Sequence, residues 1–227
     1  MPIPGGRCGA PLFPMRALFL SLLLSGMAGL PVLADAPVRL GFVADSVDIH
    51  ATPEAGSRPI GRLLTAAPLI ALGPPETGWR LVSVSGWTQA GAERALQAAP
   101  GIRVTRAALG RDGIAALSFG AMQQDPDTGQ TWTRTTLTGW IAEADEAALS
   151  PDLATLWARA EALFATRCTA CHVRRVPAHY TANQWTSYLK VMGPRTGLPR
   201  TDQALIRVFL QYHSADAAAL AAASPED

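Results

Sequence analysis

Charge is scarce in this chain. Only 16% of its 227 residues are charged, and 19 basic against 18 acidic side chains leave a formal net charge of +1. That balance excludes a strongly basic nucleic-acid binder, and a hydrophobic content of 48% excludes a disordered polymer. Cysteine is scarcer still, with only Cys8, Cys168 and Cys171. The 20 Gly and 18 Pro interrupt the chain too often for one long helical array and point to one or two compact domains.

At the N-terminus there is a single long apolar run. Met15, a second candidate start, and Arg16 precede small and apolar residues from Ala17 to Leu33, and Val32-Leu33-Ala34 fits the small-residue rule for a cleavage site. Residues 1–34 are read as an export signal, with Asp35 beginning the mature chain. The other reading is an uncleaved anchor, but the run is at the short limit of a span and contains Pro31. A periplasmic protein with no membrane span after cleavage is expected. Removing this segment takes Arg7, Arg16 and Cys8 but no acidic residue, leaving 17 basic and 18 acidic side chains. It also leaves two cysteines only three positions apart, and so short a loop restrains little of the unfolded chain. Their use must be local chemistry.

Cys168-Thr169-Ala170-Cys171-His172 is a C-x-x-C-H, the attachment signature of c-type haem. Thiols about one helical turn apart can add to the two vinyl groups of one porphyrin, while the next residue offers its imidazole to the iron. A thioredoxin-like redox pair would follow a strand and open a helix, and a zinc site would need a second pair of ligands. Here a helix precedes the motif and no further cysteine remains. Ser150-Pro151-Asp152 reads as the start of that helix, with Ser150 as N-cap. The apolar stripe Leu153, Leu156, Trp157, Ala160, Leu163 and Phe164 then runs up to the cysteines.

Two residues compete for the second axial position. Thr181-Ala182-Asn183-Gln184 is a capping box opening another helix, which Gly193-Pro194 stops. Met192 ends that helix, 20 residues after His172, on the stripe of Trp185, Tyr188 and Leu189. His179 lies seven residues past His172 in a loop that Pro177 stiffens, and would complete a bis-histidine site. A methionine ligand raises the potential relative to two histidines. His50 and His213 are read as surface residues. A third helix is expected from Thr201 and Asp202 to about Ser214, with the alanine-rich stretch from Asp216 extending it and an acidic tail beyond. From Pro151 to Ala215 eight basic residues face three acidic ones, whereas Asp35 to Ser150 carries nine against twelve. Arg174, Arg175, Lys190, Arg195, Arg200 and Arg207 either neutralise propionates and meet solvent, or form a docking face for an acidic redox partner.

From Val38 to Asp145 the pattern changes to short apolar segments between turn residues, as in a small barrel or sandwich. Val47 to Trp87, with Gly78-Trp79 and Gly86-Trp87, looks like a bacterial SH3-type barrel. Leu137-Thr138-Gly139-Trp140-Ile141 would be its closing strand after an insertion from Ala90 to Gln130, with the tryptophans in its core. The expected fold is α+β and multidomain: a signal peptide at 1–34, an SH3-like β-barrel with insertion at 38–147, a small all-α cytochrome c domain at 150–215, and a tail at 216–227.

Pro177-Ala178-His179-Tyr180-Thr181-Ala182-Asn183-Gln184-Trp185 and Val191-Met192-Gly193 give the stretch from Cys168 to Met192 its most specific resemblance. It resembles the C-terminal part of the multihaem c-type cytochromes that serve trimethylamine N-oxide and dimethyl sulfoxide reductases in the bacterial periplasm. That family's four-haem, membrane-anchored portion has no counterpart here, and the single C-x-x-C-H implies one covalent haem c. The resemblance implies an electron carrier, not an enzyme, whose partner is a periplasmic molybdoenzyme S- or N-oxide reductase or a membrane-bound cytochrome. A second hypothesis makes the barrel an envelope-binding or sensor module with the haem as sensor or stabiliser. A third, an enzyme with an open haem site, lacks an evident acid-base or nucleophilic pair.

Overall fold

Strands dominate the first two thirds of the chain: β1 (Val38–Val43), β2 (Val47–His50), β3 (Pro59–Leu63), β4 (Pro68–Ala71), β5 (Trp79–Gln89), β6 (Ala95–Ala99), β7 (Ile102–Leu109), β8 (Leu117–Gln124), β9 (Thr131–Ala142) and β10 (Leu149–Ser150). Helices follow: α1 (Leu153–Arg167), α2 (Ala182–Met192), α3 (Arg200–Tyr212) and α4 (Ala217–Ala223). The computed structural model describes residues 37–170 and 172–224. The expected signal segment with Cys8, and Cys171 of the motif, lie outside the described residues.

Period-two alternation sets the faces of the longest strands. Along β5, Val82, Val84, Gly86 and Thr88 are buried while Leu81, Ser83, Ser85 and Trp87 are half-buried. β9 runs antiparallel along its whole length, from Trp79 opposite Ala142 to Gln89 opposite Trp132. The strands make one ten-stranded sheet in the order β10-β1-β4-β5-β6-β7-β3-β2-β9-β8, with the β5–β9 pairing in addition. Val43, Ile49, Leu63, Leu69, Val84 and Leu137 belong to its aliphatic core.

This corrects the expected SH3-like barrel followed by a separate all-α cytochrome domain. The segment from Ala90 to Gln130 is no insertion, because β6, β7 and β8 lie in it and join the same sheet, β7 pairing with β3 and β8 with β9. Nor do the helices enclose a core of their own. Leu156, Phe164, Trp185, Ile206 and Phe209 pack in one cluster with Phe42, Ala98, Ile102 and Val104 of the strands. The helices cover apolar strand residues that no second sheet among the described residues covers, and the described residues form one compact unit. Trp79, Trp87 and Trp140 are half-buried, not core, since their side of the strands faces away from the aliphatic cluster.

The C-terminal stretch is a separate short helix rather than an extension of α3. Leu220 of α4 is buried. Arg106, buried on β7, donates to Ser85 O at 2.7 Å and to Ser224 Oγ at 2.6 Å, while Trp87 Nε1 and Arg134 Nη1 both donate to Ala223 O.

Gly86 lies tightly against β6. A Cβ there would lie 2.6 Å from Gln97 O and 2.9 Å from Leu96 Cγ. Gly86→Ala is therefore expected to lower unfolding free energy by about 1–3 kcal/mol through overpacking. Urea denaturation checks this, and an unchanged midpoint would show that the two strands can separate there at no cost.

Candidate functional site

The site begins with the helix that carries the motif. Ser150 does not cap it, because Ser150 is the last residue of β10, opposite Phe42. Asp152 is the N-cap instead, its carboxylate accepting from Thr155 N–H at 2.7 Å. Leu156, Ala160 and Phe164 recur at helical spacing on the buried face of α1. Cys168 is the C-cap, its N–H donating to Phe164 O, and its half-buried side chain packs against the helical cluster. Burial pushes the Cys168 thiol above its ordinary pKa.

His172 is exposed, and its Nδ1 lies 2.9 Å from Val173 O. A carbonyl only accepts, so Nδ1 carries the hydrogen and Nε2 keeps the free lone pair that a metal would take. The connection then makes a short 3₁₀ turn at Pro177–His179, with His179 exposed at its end. Rings tie this connection to both neighbouring helices. Tyr180 meets Trp185 and Tyr188 with centroids 5.1 and 5.0 Å apart, and Trp185 meets Phe164 at 6.5 Å. Trp185 Nε1 also donates to Pro177 O at 2.9 Å. Arg175 donates to the Tyr180 hydroxyl and lies 5.5 Å from its ring centroid.

The capping box forms with Gln184 N–H donating to Thr181 Oγ1 and Thr181 N–H to Gln184 Oε1, and α2 ends before Gly193. Met192 sits at that end, 44% exposed. Among the described residues, no hydrogen bond or ring contact joins His172, His179 and Met192. No three His, Cys, Asp or Glu side chains among them converge as a metal cluster either.

A set of uncovered apolar side chains surrounds these positions in sequence. Val173 is 88% exposed, Val191 54% and Val176 49%, with Tyr188 also exposed. Such exposure on the two segments that carry the candidate ligands is what a site for a flat apolar macrocycle requires. The donor set fits haem c: a thiol, an imidazole with its Nε2 free, and a thioether within an apolar surround. Val173 and Val176 were not visible as site residues, although two valines beside Arg174 and Arg175 in a loop without periodicity were the signal. His50 bonds to Ser57 Oγ at 2.9 Å and meets Trp79, and His213 bonds to Phe209 O, so each has a local structural role.

Residues 41–145 match a family model described as the TorC third cytochrome c domain. That stretch covers strands β2 to β9 and ends before Cys168. The chain is 32% identical over 169 residues to the cytochrome c-type protein TorY of Escherichia coli O157:H7, covering 74% of this chain and 45% of that protein. It is 28% identical over 159 residues to the cytochrome c-type protein TorC of Escherichia coli (strain K12), covering 70% of this chain and 40% of that one. A TorY protein of Haemophilus influenzae is 28% identical over 136 residues, covering 60% of this chain and 36% of that protein. The chain thus spans less than half the length of these curated relatives. No solved structure matches. The chain is similar to c-type cytochromes of the TorC/TorY kind.

Because α1 presents the motif, its cap is testable through pH. The bond from Thr155 N–H holds the Asp152 carboxyl below the usual carboxylate range. A folded-state pKa below the unfolded one stabilises above the unfolded value, and the gain is lost as pH falls through the folded value. Asp152→Ala is expected to lower the thermal midpoint at neutral pH, by less and less below about pH 4, whereas Asp152→Asn retains most of the stability. Circular dichroism melts across that range check both.

Proposed function

We propose that this chain is a periplasmic mono-haem c-type cytochrome that carries electrons one at a time. The observation carrying this reading is the C-x-x-C-H at the exit of α1, whose histidine keeps Nε2 free beside uncovered apolar side chains. Similarity to TorC and TorY supports it.

Cys168 and Cys171 would hold the porphyrin through thioether bonds, and His172 Nε2 and the Met192 sulfur would ligate its iron, with His179 as the competitor of Met192. When bound, the haem supplies a reversible one-electron couple whose potential follows the axial pair and the burial around it. Val173, Val176 and Val191 would lie against it and exclude water, and Tyr180, held by Arg175, fixes the connection that carries His172. Residues 150–215 carry the redox chemistry, and the strands give the helices the surface on which they set its geometry. The electron partner is a periplasmic molybdoenzyme S- or N-oxide reductase or a membrane-bound cytochrome, met by the basic side chains Arg174, Arg175, Lys190 and Arg195.

The exported protein is expected to contain one haem per chain by haemochrome assay, and none held covalently in a Cys168→Ala, Cys171→Ala double variant. Met192→Ala is expected to lose the low-spin spectrum and to lower the midpoint potential, while His179→Ala leaves both unchanged. The reverse pattern would assign the ligand to His179, and a haem-free wild type would overturn the whole reading.

A further inference from the structure

One cleft lies apart from the residues of the haem motif. It has a volume of about 390 Å³ and opens between α3, Thr186 of α2 and the strands β6 and β7. Arg200, Ala204, Arg207, Val208 and Gln211 line it from one face of α3, as their three-to-four-residue spacing requires. Arg103 of β7 lines it from the opposite wall.

Its chemistry is one-sided. Three arginines enter the lining and no carboxylate does, while Ser46, Thr65, Thr105 and Thr201 add hydroxyls. Among the described residues none of the three arginines forms a salt bridge. Asp202, on the same helix, is taken by Arg159 of α1 at 2.6 Å and does not line the cleft. Arg207 is exposed, and neighbouring protein atoms desolvate its guanidinium only in part, which pulls its pKa down. Three cations gathered without a counter-charge repel one another, and a multivalent anion relieves that repulsion.

We propose that this cleft binds a small anion of two or more negative charges bearing phosphate or carboxylate groups. At about a dozen water volumes, the cleft admits a phosphomonoester or a dicarboxylate as well as inorganic phosphate. Arg207 and Arg103 grip the anion from facing walls, and hydroxyls complete its hydrogen bonds. The site is distinct from the haem site: at about 100° per residue, Thr186 lies roughly opposite Tyr188 on α2, and well over a quarter turn from Val191 and Met192.

Isothermal titration of the full-length haem-loaded protein with inorganic phosphate, and separately with succinate, at constant ionic strength tests this. The expected result is saturable one-to-one binding of at least one probe, with the tighter one identifying phosphate or carboxylate chemistry. Arg207→Gln and Arg103→Gln should each weaken binding about tenfold, and Arg111→Gln, an exposed arginine outside the cleft, should not. Should Arg207→Gln fail to fold, Arg103→Gln, at an exposed strand position, carries the test alone. The haem spectrum and potential should stay constant through the titration. Absence of saturable binding, equal loss in Arg111→Gln, or a haem spectral change that saturates with the anion would each overturn the proposal.

Discussion

The strands leave apolar side chains on a face that no other sheet covers, and the helices depend on that face. Phe42, Ala98, Ile102 and Val104 project toward α1, α2 and α3, which meet them with Leu156, Phe164, Trp185, Ile206 and Phe209. Burying each large side chain is worth about 1.5–3 kcal/mol, so this junction is a main source of helix stability. Helices of 11 to 15 residues are marginal alone. The direction in which α1 leaves the sheet then decides where Cys168 emerges, and the packing of Trp185 decides where α2 presents Met192.

α2 divides its surface three ways. Ala182 and Trp185 face the shared core, Thr186 faces the arginine-lined cleft, and Tyr188, Val191 and Met192 face outward. A helix that is apolar on its outer side is incomplete as part of a water-soluble surface. The same helix therefore borders two regions of opposite character, one uncovered and apolar, the other cationic and lined with hydroxyls. Gln211 stitches the boundary, its Nε2 donating to Arg103 O, Ala182 O and Thr186 Oγ1 and thereby joining α3, β7 and α2.

Local signals were legible and long-range pairings were not. The Thr181–Gln184 capping box and the Gly193 stop each involve neighbours in sequence, and their readings needed no tertiary information. The strand-rich character of the stretch from Val38 to Asp145 was legible from short apolar segments between turns. β6, with three alanines in five residues, carries little intrinsic strand preference. It is a strand because β5 and β7 pair with it, as only the assembled sheet reveals. The Ser150 cap failed for the same reason: a residue suited to open a helix was claimed by β10. At the site, spacing indicated Cys168, His172 and Met192, while the exposure of Val173 and Val176 depended on what packs nearby.

The grip on α4 carries a consequence for the order of events in folding. Buried Arg106 is bonded to Ser224 across 118 residues of chain, and Trp87 reaches Ala223 across 136. Within the sheet the Arg106 guanidinium is held by Ser85 O alone, and its second partner arrives only when α4 docks. Loops of this length close late. The end of α4 thus acts as a latch on a sheet begun nearly two hundred residues earlier, and the sheet and α4 complete one another late in folding.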